Sequence, residues 1–310
     1  MPDVSMVHVD QALTNVSIAY QPPGFYADEL FPPSPVGKQS NKYFVYDKSR
    51  FRVMDDARRP GAQANEIDWK LSTDTYYCEG HALSQIVPDE LRSNADPVLD
   101  LDVDTTEILS DLIYLQREIL AASKATDISV VAQHKSAAAW DNNASTPITD
   151  IETAKLAIQL ATGKLPNRLL VSRPVFEKLR NHASIIGRVQ FVMKAMPEDI
   201  SAELLASAFG LEKVVVADSI KNTANEGAAD SMDWVWGKNA ILYYRPAAVG
   251  KRVATFGAQF RWLFGANTQG FLVKRWREEK RTGDMIEVQL YHDMKVVAAA
   301  AAYLFDGCIS

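Results

Sequence analysis

The chain has 310 residues, 47 % of them hydrophobic and 23 % charged, which is enough apolar material for one large or two modest cores and excludes disorder as its main state. Its formal net charge of −6 excludes a protein whose main task is to grip nucleic acid by neutralising phosphates, because that requires a basic footprint. Two cysteines, Cys78 and Cys308, are too few and too far apart for a disulfide framework or a zinc site, and read as free thiols of a reducing cytoplasm.

Residues 1–10 hold Asp3 and Asp10 and no apolar stretch of signal-peptide length, so no export is expected. Residues 1–37 lack sustained periodicity. Pro22-Pro23-Gly24 and Pro32-Pro33-Ser34-Pro35 keep the backbone extended and deny it ladder donors, which describes an arm laid across other surfaces. Residues 42–46 carry an aromatic and β-branched strand signal, residues 68–76 alternate as a returning strand, and the polar stretch 54–66 between them has Arg59-Pro60-Gly61 as its turn. Limbs of about twenty residues at ~3.3 Å each reach at most roughly 60 Å, longer than the radius of a domain of this size, so the hairpin is expected to lie on a neighbouring subunit. Its aromatic residues Tyr43, Phe44, Tyr46, Trp69, Tyr76 and Tyr77 then read as buried intersubunit contacts, together with Arg59, because a hairpin has little interior of its own.

Asp104-Thr105-Thr106-Glu107 reads as a capping-box start, after which Ile108, Leu109, Leu112, Leu115, Ile119 and Leu120 share one helical face up to about residue 125. That face is expected to pack on a carboxy-terminal sheet, so that Leu112→Ala costs roughly 2 to 5 kcal/mol. Beyond the loop 141–147 the pattern predicts a helix over 150–162 closed by Gly163, a strand at 168–172 and helices over 174–180 and 201–209, the latter ended by Gly210. Strands at 214–218 and 240–244 flank a Gly-, Ala- and Asn-rich loop at 222–231. This α/β alternation between 148 and 248 predicts a separate lobe. Residues 271–280 and 285–291 read as a hairpin about Thr282-Gly283-Asp284, and the apolar run 296–305, about half of a membrane span, as a further strand in a soluble protein.

The chemistry-bearing residues yield no catalytic constellation. Asp100, Asp102 and Asp104 resemble the opening of a calcium loop, but Thr105 stands where that loop needs Gly and Asp111 where it usually has Glu; acids before a helix are better read as caps. His8, His81, His134, His182 and His292 lie in separate segments without a His-Glu-x-x-His pair. Gly163-Lys164 and Gly237-Lys238 lack the upstream glycine of a phosphate loop, and no Gly-x-Ser-x-Gly elbow is present. Lys274-Arg275-Trp276-Arg277 could face nucleic acid, yet Glu278 and Glu279 follow at once, so a strand carrying cross-strand ion pairs is the stronger reading.

Leu13-Thr14-Asn15-Val16-Ser17-Ile18-Ala19-Tyr20, Phe25-Tyr26-Ala27-Asp28-Glu29-Leu30-Phe31-Pro32, the strand at 40–46, and Thr73-Asp74-Thr75-Tyr76-Tyr77-Cys78-Glu79 followed by Val87-Pro88-Asp89-Glu90 resemble the major capsid proteins of tailed bacteriophages. The resemblance covers most of the chain as a pattern of segments. It implies an α+β shell subunit: an amino-terminal arm (1–37), an extended hairpin loop (38–83), a peripheral domain (84–147 and 249–310) with a spine helix at about 104–125, and an axial domain (148–248). The implied function is self-assembly as hexamers and pentamers into an icosahedral head shell around double-stranded DNA, without catalysis or cofactor. Implied partners are further copies of the chain, packaged DNA held non-specifically, a separate scaffolding protein, a portal and a decoration protein, with no membrane; the implied location is the virion, with assembly in the host cytoplasm. The short leader before Leu13 leads us to expect no long fused scaffolding segment. The alternatives are an encapsulin-like compartment and, from another class, an α/β hydrolase or metal enzyme.

Overall fold

A computed structural model of the chain describes residues 8–9, 13, 24–45, 51–54, 56–61, 63–64, 66, 72–94, 100–131, 133–190, 200–246, 255–264 and 271–309. The strand Gly283–Val296 is the axis of a six-stranded sheet. It pairs antiparallel with Phe271–Glu278 on one side, with Glu79–Pro88 on the other, and near its end with Gly257–Trp262, which carries Pro33–Val36 in parallel. His8–Val9 adds to the edge at Phe271–Glu278. The hairpin at 271–296 is therefore present, but its turn is a 3-10 turn over Glu279–Arg281 followed by left-handed Thr282 (φ 44°), and Gly283 and Asp284 already belong to the strand.

A second, five-stranded sheet has the order His134–Lys135, Ala302–Phe305, Ala240–Tyr243, Arg168–Ser172, Lys213–Ala217. Its strands are apolar on both faces, as strands covered twice must be. Leu169, Val171, Val214, Leu242 and Phe305 meet the helices Pro147–Thr162, Arg173–Arg180, Ala183–Arg188 and Ala202–Phe209. Leu170, Val215, Ile241, Tyr243 and Leu304 face Ala121, Ala122 and Ala125 of the long helix, with Phe256 and Met294 of the first sheet. The strand Ala302–Phe305, expected outside the 148–248 segment, thus pairs into that segment's sheet. The run 296–305 is correspondingly not one strand: pairing stops at Val296, a 3-10 turn occupies Ala299–Ala301, and a new strand starts at Ala302.

The spine helix runs Leu101–Ala125, and it starts before the expected capping box because Asp100 is the cap, accepting from the Asp102 and Val103 amides at 3.2 and 3.3 Å. Its buried face also differs from the expected one. Leu109 and Ile113 pack on Ile286, Val288 and Leu290, and Leu115, Ile119 and Leu120 are partly buried, but Ile108 and Leu112 are exposed, Leu112 by 45 %. Thr106, Ser110, Arg117 and Glu118 take the buried positions instead. The hydroxyls return their donors to the helix, Thr106 to the Asp102 carbonyl at 2.8 Å and Ser110 to the Thr106 carbonyl at 2.7 Å. The large cost is therefore expected at Leu109→Ala, roughly 2 to 5 kcal/mol, with Leu112→Ala under about 1 kcal/mol in chemical unfolding of the unassembled subunit.

The arm needs a second correction, because residues 24–36 are docked within the chain. Ala27, Leu30 and Phe31 are fully buried beside the spine helix, and Phe31 lies so close to Gly257 that a Cβ there would collide with its ring. Pro33–Val36 is an edge strand: Gln259 N donates to the carbonyl of Pro32, just before it, and Leu263 N to that of Val36 at its end, each at 3.1 Å. Prolines at alternate positions are compatible with an edge.

Candidate functional site

The short helix Ala27–Leu30 is a charged joint between the two sheets. Its opening amides, Tyr26 N and Ala27 N, donate to Glu118 of the spine helix at 2.9 and 2.7 Å, and Trp236 Nε1 donates to the same carboxylate at 2.6 Å. Burial pushes Glu118 above the usual carboxylate range, and these donors oppose that push. Asp28 pairs with Arg117 of the spine helix at 3.1 Å and Arg261 of the six-stranded sheet at 3.0 Å. Glu29 reaches the other sheet, to Arg168 at 2.5 Å, Lys213 at 2.8 Å and Arg245 just beyond Tyr243. Although burial pulls the other way, Lys213, Arg245 and Arg168 hold Glu29 below its usual range.

Beside this joint the rings of His81 and His292 stack, with centroids 4.5 Å apart and planes 16° from parallel. His292 is buried. Burial, followed by His81, Arg117, Arg261 and Lys124, pushes it down to about 3. Burial also pushes the Cys78 thiol up to about 11 and raises that of Cys308.

The hairpin pairs Ser40–Val45 with Ser72–Tyr77 and divides its aromatics by face. Tyr76 is only 6 % exposed, stacked on Phe260 at 4.4 Å and 13°, and Tyr43 lies 5.3 Å from the same ring while donating to Asp74 at 2.7 Å. Tyr76 thus has little surface left for a neighbour, against the expectation of an intersubunit contact: the inner face of the hairpin packs on its own chain, on a partner more than 180 positions away. Phe44 and Tyr77 share the outer face and are exposed, and Arg59 is exposed near the far end. Tyr46 and Trp69 lie outside the described residues. Sequence reading missed exposed Phe51, Val53 and Met54 beyond the paired strands, and Leu156 and Leu160, whose four-residue spacing off the stripe of Ile151, Ala154 and Ile158 was the available signal.

The basic strand is ion-paired, as expected. Lys274 faces Glu287 at 3.9 Å; Arg275 meets Asp284 at 2.7 Å and Asp102 at 3.1 Å; Arg277 meets Asp89 at 2.5 Å. Arg92 joins Asp102 and Asp284 at 2.6 and 2.8 Å. Burial works against it, but Arg275 and Arg92 hold Asp284 down at about 2. Asp102, one of the three acids resembling a calcium loop, is thus engaged by arginines.

No family model matches the chain. The major capsid protein of Burkholderia phage BcepMu is 25 % identical over 253 residues, 80 % of this chain and 80 % of that protein. The major capsid protein of Pseudomonas phage JBD67 is 29 % identical over 271 residues, 82 % of this chain and 83 % of that one. The chain is a homologue of phage major capsid proteins. A phage-related protein from Bordetella bronchiseptica RB50 has a crystal structure that matches 97 % of this chain and 98 % of its own, with a TM-score of 0.76 at 24 % identity. The capsid of cyanophage P-SCSP1u matches 89 % of this chain and 86 % of its own, with a TM-score of 0.60 at 10 % identity. The α+β fold, with its spine helix and paired hairpin, is accordingly that shared by phage capsid subunits and encapsulins, and the chain's homologues are major capsid proteins.

Proposed function

We propose that the chain assembles as hexamers and pentamers into the icosahedral head shell of a tailed bacteriophage, around double-stranded DNA. The two homologous major capsid proteins, matching across four fifths of the chain, carry this reading. The outer face of the hairpin supports it: Phe44 and Tyr77 are aromatic surface that the subunit does not bury. In this reading Phe44 and Arg59, with Tyr46 and Trp69, touch neighbouring copies, and the 148–248 lobe meets its equivalents at capsomer centres. Assembly takes place in the host cytoplasm, with a separate scaffolding protein or unaided, and a portal, with or without a decoration protein, completes the shell. No catalytic step is involved. Many modest contacts add through multivalency, so the shell is stable while each contact stays weak enough to correct errors.

Negative-stain microscopy of the concentrated protein, alone and co-expressed with the scaffolding protein of its phage, tests the reading and is expected to show icosahedral particles in at least one of the two; particles that carry a protein cargo and exclude nucleic acid would favour the encapsulin-like alternative. Deleting residues 47–69 is expected to leave a folded subunit that forms no particles. Loss of cooperative melting in that variant would place the deleted segment in the subunit core.

A further inference from the structure

The ring of Phe51 rests on Gly163, the left-handed residue (φ 70°) that ends the helix Pro147–Thr162: a Cβ built there would stand 2.8 Å from it. No other residue type brings the helix end so close to the ring. Yet the contact is incomplete on both sides. Leu160 stays 92 % exposed and Leu165 is exposed with Phe51 in place, while Phe51 itself is 64 % exposed and is followed by exposed Val53 and Met54.

We propose that Gly163, Leu160 and Leu165 form a socket for the segment 51–54 of a second copy of this chain, and that a free subunit keeps its own tip there until a neighbour's tip replaces it. The proposal rests on the shell reading and names the receiving surface for the hairpin. A contact satisfied within one chain is satisfied equally by exchange between identical chains. Residues 46–71, which link the paired strands, are long enough to be shared between subunits at little additional entropic cost. A tip arriving from a neighbour keeps the Phe51 contact but is free of the tether that leaves Leu160 and Leu165 bare in the single chain, and can reach across them.

Two variants with one added cysteine each, Val53→Cys and Lys164→Cys, test this without removing Phe51 or the leucines; the native Cys78 and Cys308 are fully buried. In particles assembled from an equal mixture, a bifunctional maleimide is expected to link the two chains about tenfold more than in particles of either variant alone. Phe51→Ser is expected to lower particle yield about tenfold with subunit melting unchanged, the pattern of a central contact residue. Mixed particles without linked pairs, or Phe51→Ser chains that assemble at the unmodified level, overturn the socket. If the unmodified chain forms no particles either alone or with the scaffolding protein of its phage, the shell reading falls and the socket with it.

Discussion

Replacing Glu118 with alanine is expected to cost the unassembled subunit roughly 4 kcal/mol, because it strands three donors at once, two buried and one half-buried, and leaves Arg117 with one carboxylate fewer nearby. The donors are the Tyr26 and Ala27 amides and the Trp236 indole. Glu118→Gln keeps the shape and one acceptor oxygen, and is expected to lose about half as much. Urea unfolding with an unchanged denaturant slope measures both. A loss below about 1 kcal/mol for the alanine variant would mean that residues 26–31 do not depend on this carboxylate.

The second large effect is expected in mild acid. The folded state holds His292 at about 3, below its ordinary 6.5, so folding favours the neutral ring. Its stabilisation is complete above pH 6.5 and is lost progressively as pH falls from 6.5 toward 3. Between pH 7.5 and 4.5 the loss comes to roughly 2.5 kcal/mol. Glu29 and Asp284, which are held low, add their losses only below their ordinary 4.5 and 3.8. Glu118, pushed up, works in the opposite sense. Comparison with His292→Gln, which leaves all three in place, isolates the histidine: the fall of roughly 2.5 kcal/mol is expected to disappear in the variant, leaving only the opposite drift that Glu118 contributes as pH falls toward 4.5. An equal slope in both proteins would show that protonating this ring costs nothing, and that the stacked pair with Arg117, Arg261 and Lys124 around it tolerates a charge.

Local signals located most elements. Gly163 and Gly210 do close their helices in the left-handed conformation, and the strands at 168–172 and 240–243 stand within a residue of their expected bounds. What local pattern could not show was where polar groups would be paired at long range. The spine helix buries Arg117 and Glu118, whose partners are Asp28, Tyr26, Ala27 and Trp236, while Ile108 and Leu112 face outward; a rule that sends apolar residues inward selects the wrong stripe there. The arm was misread for the same reason, since Asp28 and Glu29 anchor to cations between 89 and 233 positions away. Of the hairpin site, the strands and their aromatics were legible, but not which face Phe260 would claim.

The topology also bears on how a nascent subunit matures on the ribosome. The axis of the six-stranded sheet is Gly283–Val296, and Ala302–Phe305 sits inside the other sheet, between Ala240–Tyr243 and His134–Lys135. Neither sheet closes until these late residues have been synthesised, so the buried surfaces of both remain open through most of translation. Because pairings so distant in sequence form slowly, completion of the sheets is a delayed event. Competence to join other copies is thereby tied to translation of the closing strands rather than to the earlier emergence of the hairpin.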